Sequence, residues 1–337
     1  MLDFLRQLFK KYSQKIVQRN VLVKILLIAS FITPFLMLYL LYPESYERTF
    51  KGRAYYIFFL WLILLEFALE WRNIDVKISE FRSARFLGFS IALFLPAIYI
   101  LVANFSGLNQ MIVELSPKYH GMDAWAKLMP LAIEYLILTS LFSMMITLAY
   151  GIKGLKDFLP PIALLGTVGS LFFIDNLYPY GEFTPFQMLV PSTATLATSL
   201  LRSLGYQTEW RGQTYKTPIL RVWNQSGETI IGIAWPCSGI ESLVIYSVIA
   251  PLSLKNTDIP RRWKILYFII GAIITYLLNI LRIVTIFIIA VNHGENSPEV
   301  WQFHNYYGPL YSILWISAYQ LIIIGIHSLW KKSKKGA

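Results

Sequence analysis

Cysteine is almost missing from this chain: Cys237 is the single one in 337 residues. Such a chain has no internal disulfide available, and one thiol brings no metal-site spacing with it, so stability must come from packing. Charge is scarce as well. Only 15% of residues are Asp, Glu, Lys or Arg, against 56% hydrophobic and 16% aromatic, which excludes a soluble protein of ordinary composition. Acidic residues are the rarer sign, 19 against 30 basic, for a formal net charge of +11. In a soluble chain that excess would suggest nucleic acid. Here the basic residues cluster between apolar runs and act as topology signals, so the expected partners are membrane lipids and no nucleic acid. Repeats and low-complexity tracts are absent, and no small-residue cleavage site follows the first apolar run, which is expected to remain as a span.

What is present is a series of long apolar runs. Residues Met1 to Lys24 carry Arg6, Lys10, Lys11, Lys15, Arg19 and Lys24 among Leu and Phe, the pattern of a basic amphipathic helix on the cytoplasmic surface. Runs able to cross about 30 Å of hydrocarbon follow at Ile25–Tyr42, Ala54–Trp71, Phe86–Phe105, Leu128–Tyr150, Phe158–Leu177, Ser238–Leu254, Ile265–Val291 and Tyr306–Trp330. The loops test this division. Those placed inside hold Arg72, Lys77, Arg82 and Arg85, then Lys153 and Lys156, then Lys255, Arg261, Arg262 and Lys264, and finally Lys331, Lys332, Lys334 and Lys335. With the N-terminal six, roughly 20 of the 30 basic residues fall inside, as the positive-inside rule asks. Both termini are therefore expected in the cytoplasm and Cys237 on the extracytoplasmic face of the plasma membrane.

The longest outer segment has structure of its own. Pro191 to Gly205 reads as a short helix with Leu196, Leu200, Leu201 and Leu204 on one face. Tyr206–Trp210, Ile219–Trp223 and Glu228–Ala234 read as hairpin strands separated at Arg211-Gly212 and Asn224-Gln225-Ser226-Gly227. The expected fold is an all-α polytopic membrane protein of about eight transmembrane helices, with a small extracytoplasmic helix and β-hairpin cap before the sixth span. Its parts are a cytoplasmic N-terminus (1–24), a five-span bundle (25–177), the cap (178–236), a three-span region (237–330) and a basic tail (331–337).

The cap leads into Trp235-Pro236-Cys237-Ser238-Gly239-Ile240-Glu241-Ser242. Pro236 blocks helix propagation upstream, and Ser238 followed by Glu241 has the capping-box pattern, so a helix is expected to begin within a residue or two of Cys237. A thiol in a first helical turn lies among unpaired N–H groups at the positive end of the dipole, an environment that suits a nucleophile. The plain alternative is a small buried apolar residue. Arg282 lies within a span, with Asn279 one turn earlier on the same face. At about 1.5 Å per residue, Arg282 stands roughly 27 Å above Lys264 and Cys237 roughly 27 Å above Lys255, so the two share a level. An arginine there either meets the thiol or snorkels to headgroups. His304 precedes the last span on the same side, with His293 as its competitor. Glu66 and Glu70 in the second span and Glu134 in the fourth suit a structural ion pair or, alternatively, an ion path.

With Cys, Arg and His in this order, the sequence resembles the exosortase/archaeosortase family of membrane transpeptidases. The motifs that carry the likeness are Pro236-Cys237-Ser238-Gly239 with Ser242, Asn279-x-x-Arg282, and His304 ahead of Gly308. It covers about Thr184 to Gly308. The resemblance implies Cys237 as nucleophile, Arg282 as the activating or charge-stabilising residue and His304 as general acid/base, supported by Ser238, Gly239, Ser242 and Asn279, with no cofactor and no metal. His304 is nearer the bacterial pattern than the archaeal one. The implied substrates are secreted proteins with a C-terminal sorting signal (short motif, membrane helix, basic cluster), and the implied acceptor is a lipid or another anchor.

The residues taken alone allow the same chemistry: thiolate attack on a peptide carbonyl, an oxyanion held by helix N–H groups and Arg282, and proton transfer by His304. Water as the second nucleophile would make the protein a protease. Two other classes remain open at this point, a transporter using Glu66, Glu70 and Glu134, and a non-catalytic scaffold acting through the cap.

Overall fold

The computed structural model describes residues 2–43, 53–69, 76, 83–117, 126–179, 184–214, 217–255 and 257–335. The fold is mostly helical. Among the described residues six helices are long and apolar enough to cross a membrane: Asn20–Leu41, Ala84–Phe105, Leu128–Tyr150, Leu159–Asn176, Arg261–His293 and Pro298–His327. Two of the eight expected spans are shorter, Ala54–Ala68 and Ile240–Leu254, and fall below the roughly 20 residues a straight crossing needs. The basic residues Arg72, Lys77 and Arg82 lie outside the described residues, as does Glu70.

The chain divides into two compact units. The first comprises Met1–Tyr46, Tyr55–Met111 and Ile133–Gly166. Its helix α1 (Leu2–Leu41) is continuous, so the basic N-terminus and the first span form one rod. Lys24, read above as part of a surface cluster, is instead buried at 2% exposure. Helix α2 (Ala54–Leu69) follows. The expected third span is broken into α3 (Ala84–Ala92) and α4 (Leu95–Phe105), because Pro96 has no N–H to continue the ladder. The unit is held by edge-on aromatics. Phe31, Phe59 and Phe142 contact one another at centroid distances of 5.3–5.5 Å, and Phe158 joins through Phe142 at 5.8 Å and Phe67 at 4.8 Å. In hydrocarbon no hydrophobic drive joins helices, so interlocking shape of this kind has to supply cohesion.

Glu134 in the first unit is buried and Glu66 half-buried, and each interacts within the structure. Neither lies in the unit that carries the thiol. On the transpeptidase reading that the resemblance implies, Glu66→Gln and Glu134→Gln are therefore expected to keep processing of a co-expressed substrate within a few-fold of the parent when normalised to protein abundance. Complete loss at normal abundance would return the ion-path reading.

The second unit comprises Glu47–Ala54, Ile112–Ala132 and Thr167–Ala337. Its helices are α5 (Val190–Ser203), α6 (Ile240–Leu254), α7 (Arg261–His293), α8 (Pro298–Gln302) and α9 (Gly308–Lys335). Between α5 and α6 runs an antiparallel sheet of order β1-β2-β3, with β1 at Gln207–Thr214, β2 at Thr217–Trp223 and β3 at Glu228–Gly232. Arg211-Gly212 is not a turn. It lies inside β1 at a bulge between Trp210 and Gln213, where Gly212 takes φ +93°, as extra-residue bulges often require of glycine. Leu220 and Val222 of β2 are fully buried; their register partners Ile231 and Thr229 share that face.

Helix α5 also departs from its expected face. Thr193, Ala194, Ala197, Thr198 and Leu201 are buried, whereas Leu196 and Leu204 are exposed. Small residues face inward because they let backbones approach closely.

Helices α6, α7 and α9 close around Gly271. A Cβ there would fall on Tyr246 Oη and Tyr319 Cε1, so only glycine admits both rings. The Tyr246 hydroxyl donates to Phe268 O (3.0 Å), the Tyr319 hydroxyl to Tyr267 O (2.7 Å), and Trp315 Nε1 to Thr275 Oγ1 (3.0 Å). The inward stripe Gly271, Thr275, Asn279, Arg282 of α7 is buried, while Ile265, Ile269, Ile273, Leu277 and Leu281 face outward.

Candidate active site

The thiol does not sit in the first turn of an α-helix. Trp235–Cys237 forms a 3₁₀ turn, and α6 begins three residues later at Ile240. The capping box is not formed. Ser238 Oγ turns back to donate to Trp235 O (2.6 Å), closing the 3₁₀ turn, and the N-cap of α6 is Gly239 at φ +90° with no side-chain cap. A left-handed residue between turn and helix breaks the geometry that a capping serine needs, and glycine takes that conformation without strain. Space matters there too: a Cβ on Gly239 would come within 3.0 Å of Asn279 Nδ2.

Two carbonyls on either side of this bend are held from other helices. Asn279 Nδ2 donates to Cys237 O at 2.7 Å, and Thr193 Oγ1 of α5 donates to Ser238 O at 2.7 Å. The Thr193 hydroxyl has one proton, so its 2.9 Å contact with Tyr276 Oη has the tyrosine as donor. Farther into α6, Ser242 Oγ donates to Ser312 Oγ of α9 at 3.1 Å. Phe186 packs on Trp235 at 4.6 Å between centroids. The thiol-bearing loop is thus tied to α5 and α7, and α6 just after it to α9, and Cys237 is 9% exposed.

His304 is not in a loop. It lies in a π-helical turn, Phe303–Tyr307, that runs directly into α9. Wide turns of this kind re-aim side chains and recur at functional sites. The turn brings His304 Nε2 to 4.0 Å from Cys237 Sγ, and the donor of that contact depends on which tautomer is present. His293 is exposed at the far end of α7 and takes no part.

Arg282 is 4% exposed. It does not bond the thiol; its Nη2 donates to His304 O at 3.5 Å, so it joins the group through the histidine backbone. Its side chain passes over Gly308, where a Cβ would fall on Nε and lie 3.0 Å from Cδ. Among the described residues no carboxylate pairs with it, and Nε has no partner. The Oδ1 of Asn279 is likewise buried and unpartnered. A desolvated guanidinium without a counter-ion costs several kcal/mol, and a group in that state can hold negative charge brought to it. Among the described residues, no three His, Cys, Asp or Glu side chains group so as to hold a metal.

The structure therefore brings Cys237, Asn279, Arg282 and His304 together, with Ser238 and Gly239 shaping the bend and Ser242 below it. Sequence reasoning missed Thr193, Tyr276 and Ser312. Spacing held a signal for two of them: Tyr276, Asn279 and Arg282 recur at three-residue intervals on one helix face, and Gly308 and Ser312 are one turn apart. Thr193 is 45 residues from its carbonyl and no local pattern marks it. Thr193→Val is expected to slow turnover about tenfold by loosening the thiol loop, with Thr193→Ser near the parent rate. Single-turnover rates at matched abundance decide this, since a merely structural role would lower abundance instead.

Compared with known proteins, the chain matches the transmembrane exosortase family over residues 26–321. No curated protein and no solved structure matches it.

Proposed function

Because the chain belongs to the transmembrane exosortase family, whose members are membrane sorting transpeptidases acting on secreted proteins with C-terminal sorting signals, we propose that Cys237, His304 and Arg282 form its catalytic centre. The observation that carries this reading is a buried Arg282, without a counter-ion among the described residues, bonded to the backbone of His304, whose Nε2 faces the only thiol. His304 Nε2 takes the proton from Cys237 Sγ, and the sulfur attacks the carbonyl carbon of the scissile peptide bond. The resulting oxyanion is held by Arg282 and by N–H groups at the start of α6 that have no intrahelical acceptor. Collapse breaks the C–N bond, with His304 returning its proton to the leaving amine, and leaves a thioester on Cys237. An amine or hydroxyl of the acceptor then loses its proton to His304 and attacks the thioester, which restores the thiol and joins the substrate to a membrane or surface anchor.

The basic residues at one set of helix ends support a plasma-membrane topology with both termini inside and this site on the extracytoplasmic face. In that reading the two short helices complete eight crossings, and the sheet stands over the site. His304→Ala is expected to slow turnover, and to accumulate the thioester if deacylation depends on the base more than acylation depends on the acid. Intact-mass spectrometry of the variant purified with its co-expressed substrate reads the adduct on Cys237. An adduct-free variant that processes at the parent rate would remove His304 from the mechanism.

A further inference from the structure

We propose that α5 is a membrane-embedded helix, sunk into the leaflet remote from Lys264 beside the thiol, with Leu196 and Leu200 packed against lipid acyl chains and Leu204 at the headgroup boundary. This goes beyond the reaction and does not depend on which residue is the nucleophile.

Depth is the first argument. Arg261, Arg262 and Lys264 mark one membrane surface, since charges of this density do not enter hydrocarbon. Tyr276 lies twelve residues later on α7, about 18 Å into a core of about 30 Å. Its hydroxyl touches Thr193, in the first turn of α5, so the start of α5 lies about 12 Å beneath the far surface. At the other end α5 feeds the sheet, where Ile231 packs against Ile286 and Ala290 of α7, about 33 and 39 Å from Lys264 and beyond the hydrocarbon. Fourteen residues of helix rise about 21 Å, which matches the step between these levels. Helix α5 therefore climbs through the leaflet and does not lie flat upon it.

The chemistry of its surface is the second argument. Thr195 and Ser199, on the exposed side, donate to Pro191 O (2.9 Å) and Thr195 O (3.0 Å). Thr198 and Ser203 donate to Ala194 O and Ser203's own preceding turn at Leu200 O, each at 2.7 Å. The membrane-spanning helix Leu128–Tyr150 treats Thr139, Ser140, Ser143 and Thr147 the same way. Hydroxyls in lipid must find acceptors on their own helix. The only charge on α5, Arg202, lies in its last turn and bonds Thr208, at the level expected for headgroups. The leucines at positions 196, 200 and 204 follow the one-turn spacing of a single stripe, and two of them are well exposed.

The test uses the full chain in phosphatidylcholine–phosphatidylglycerol vesicles, in a Cys237→Ser background with one environment-sensitive fluorophore at Leu196→Cys, Leu204→Cys or Gln213→Cys. The Leu196 probe is expected to be quenched by acyl-brominated lipid and several-fold less by aqueous iodide than the Gln213 probe, with Leu204 between them. Iodide quenching at Leu196 equal to that at Gln213 overturns the proposal. So does shielding of Leu196 from both quenchers, which would mean that protein, such as a second copy, covers the stripe. In the unmodified chain, a lipid-phase carbene reagent should label the peptide carrying Leu196–Leu204 and spare Gln207–Thr214; the reverse pattern also overturns it.

Discussion

Cys237→Ala is expected to reduce processing of a co-expressed substrate to background, on the order of a 10⁶-fold loss in turnover by comparison with other enzymes stripped of their nucleophile. Fold and abundance should be unaffected, because alanine keeps the backbone whose carbonyl Asn279 holds at 2.7 Å and removes one sulfur from a site that is already packed. The measurement is the ratio of mature to full-length substrate by immunoblot, together with detergent-extracted enzyme level. Undiminished maturation would end the covalent mechanism and with it the roles given to Arg282 and His304.

Arg282→Lys carries the second largest expected effect, a loss of about 10²–10³ in turnover, the range for removing one oxyanion donor. Lysine keeps the charge but not the planar fork, and only a fork can bond His304 O and still offer Nε to a reacting oxygen. Gly308→Ala separates this from a simple charge effect. Gly308 has ordinary right-handed helical φ and ψ, so alanine suits the backbone conformation there; its methyl group would chiefly displace the guanidinium, with Phe303 O a tight neighbour at 3.0 Å. A drop in kcat with little change in KM is expected for both variants at normal abundance. A purely structural arginine would instead show lowered abundance and parent-like turnover of what remains.

Much of the membrane architecture was legible because hydropathy acts over whole helices and tolerates errors of a few residues. The limits of the six long spans lie close to the apolar runs for that reason. The discrepancies came from single residues with backbone consequences. Pro96 split a span, Gly239 moved the helix start beyond the thiol, and Gly212 turned an apparent hairpin loop into a bulge. Leu196 and Leu204 misled because the rule that leucine faces inward is a rule for water, and a helix in lipid inverts it. At the candidate site, Asn279 and Arg282 could be paired from their spacing on α7, and the level estimate brought them near the cysteine. The π turn that aims His304 has no pattern in Phe303-His304-Asn305-Tyr306-Tyr307, since it depends on how α9 meets Arg282 across Gly308.

The shortness of α6 sets a depth gauge. Asn279, which grips the carbonyl of Cys237, stands fifteen residues past Lys264, so the thiol lies about 22 Å from that surface and some 8 Å short of the opposite one. A substrate anchored by a helix of full bilayer length would have its first residues outside the hydrocarbon above the sulfur. To meet it, that helix must unwind by about five residues at 1.5 Å each or the bilayer must thin locally to match α6. Hydrophobic mismatch between the two helices would then decide which peptide bond falls at the thiol, so that cleavage position is counted from the membrane as well as read from sequence.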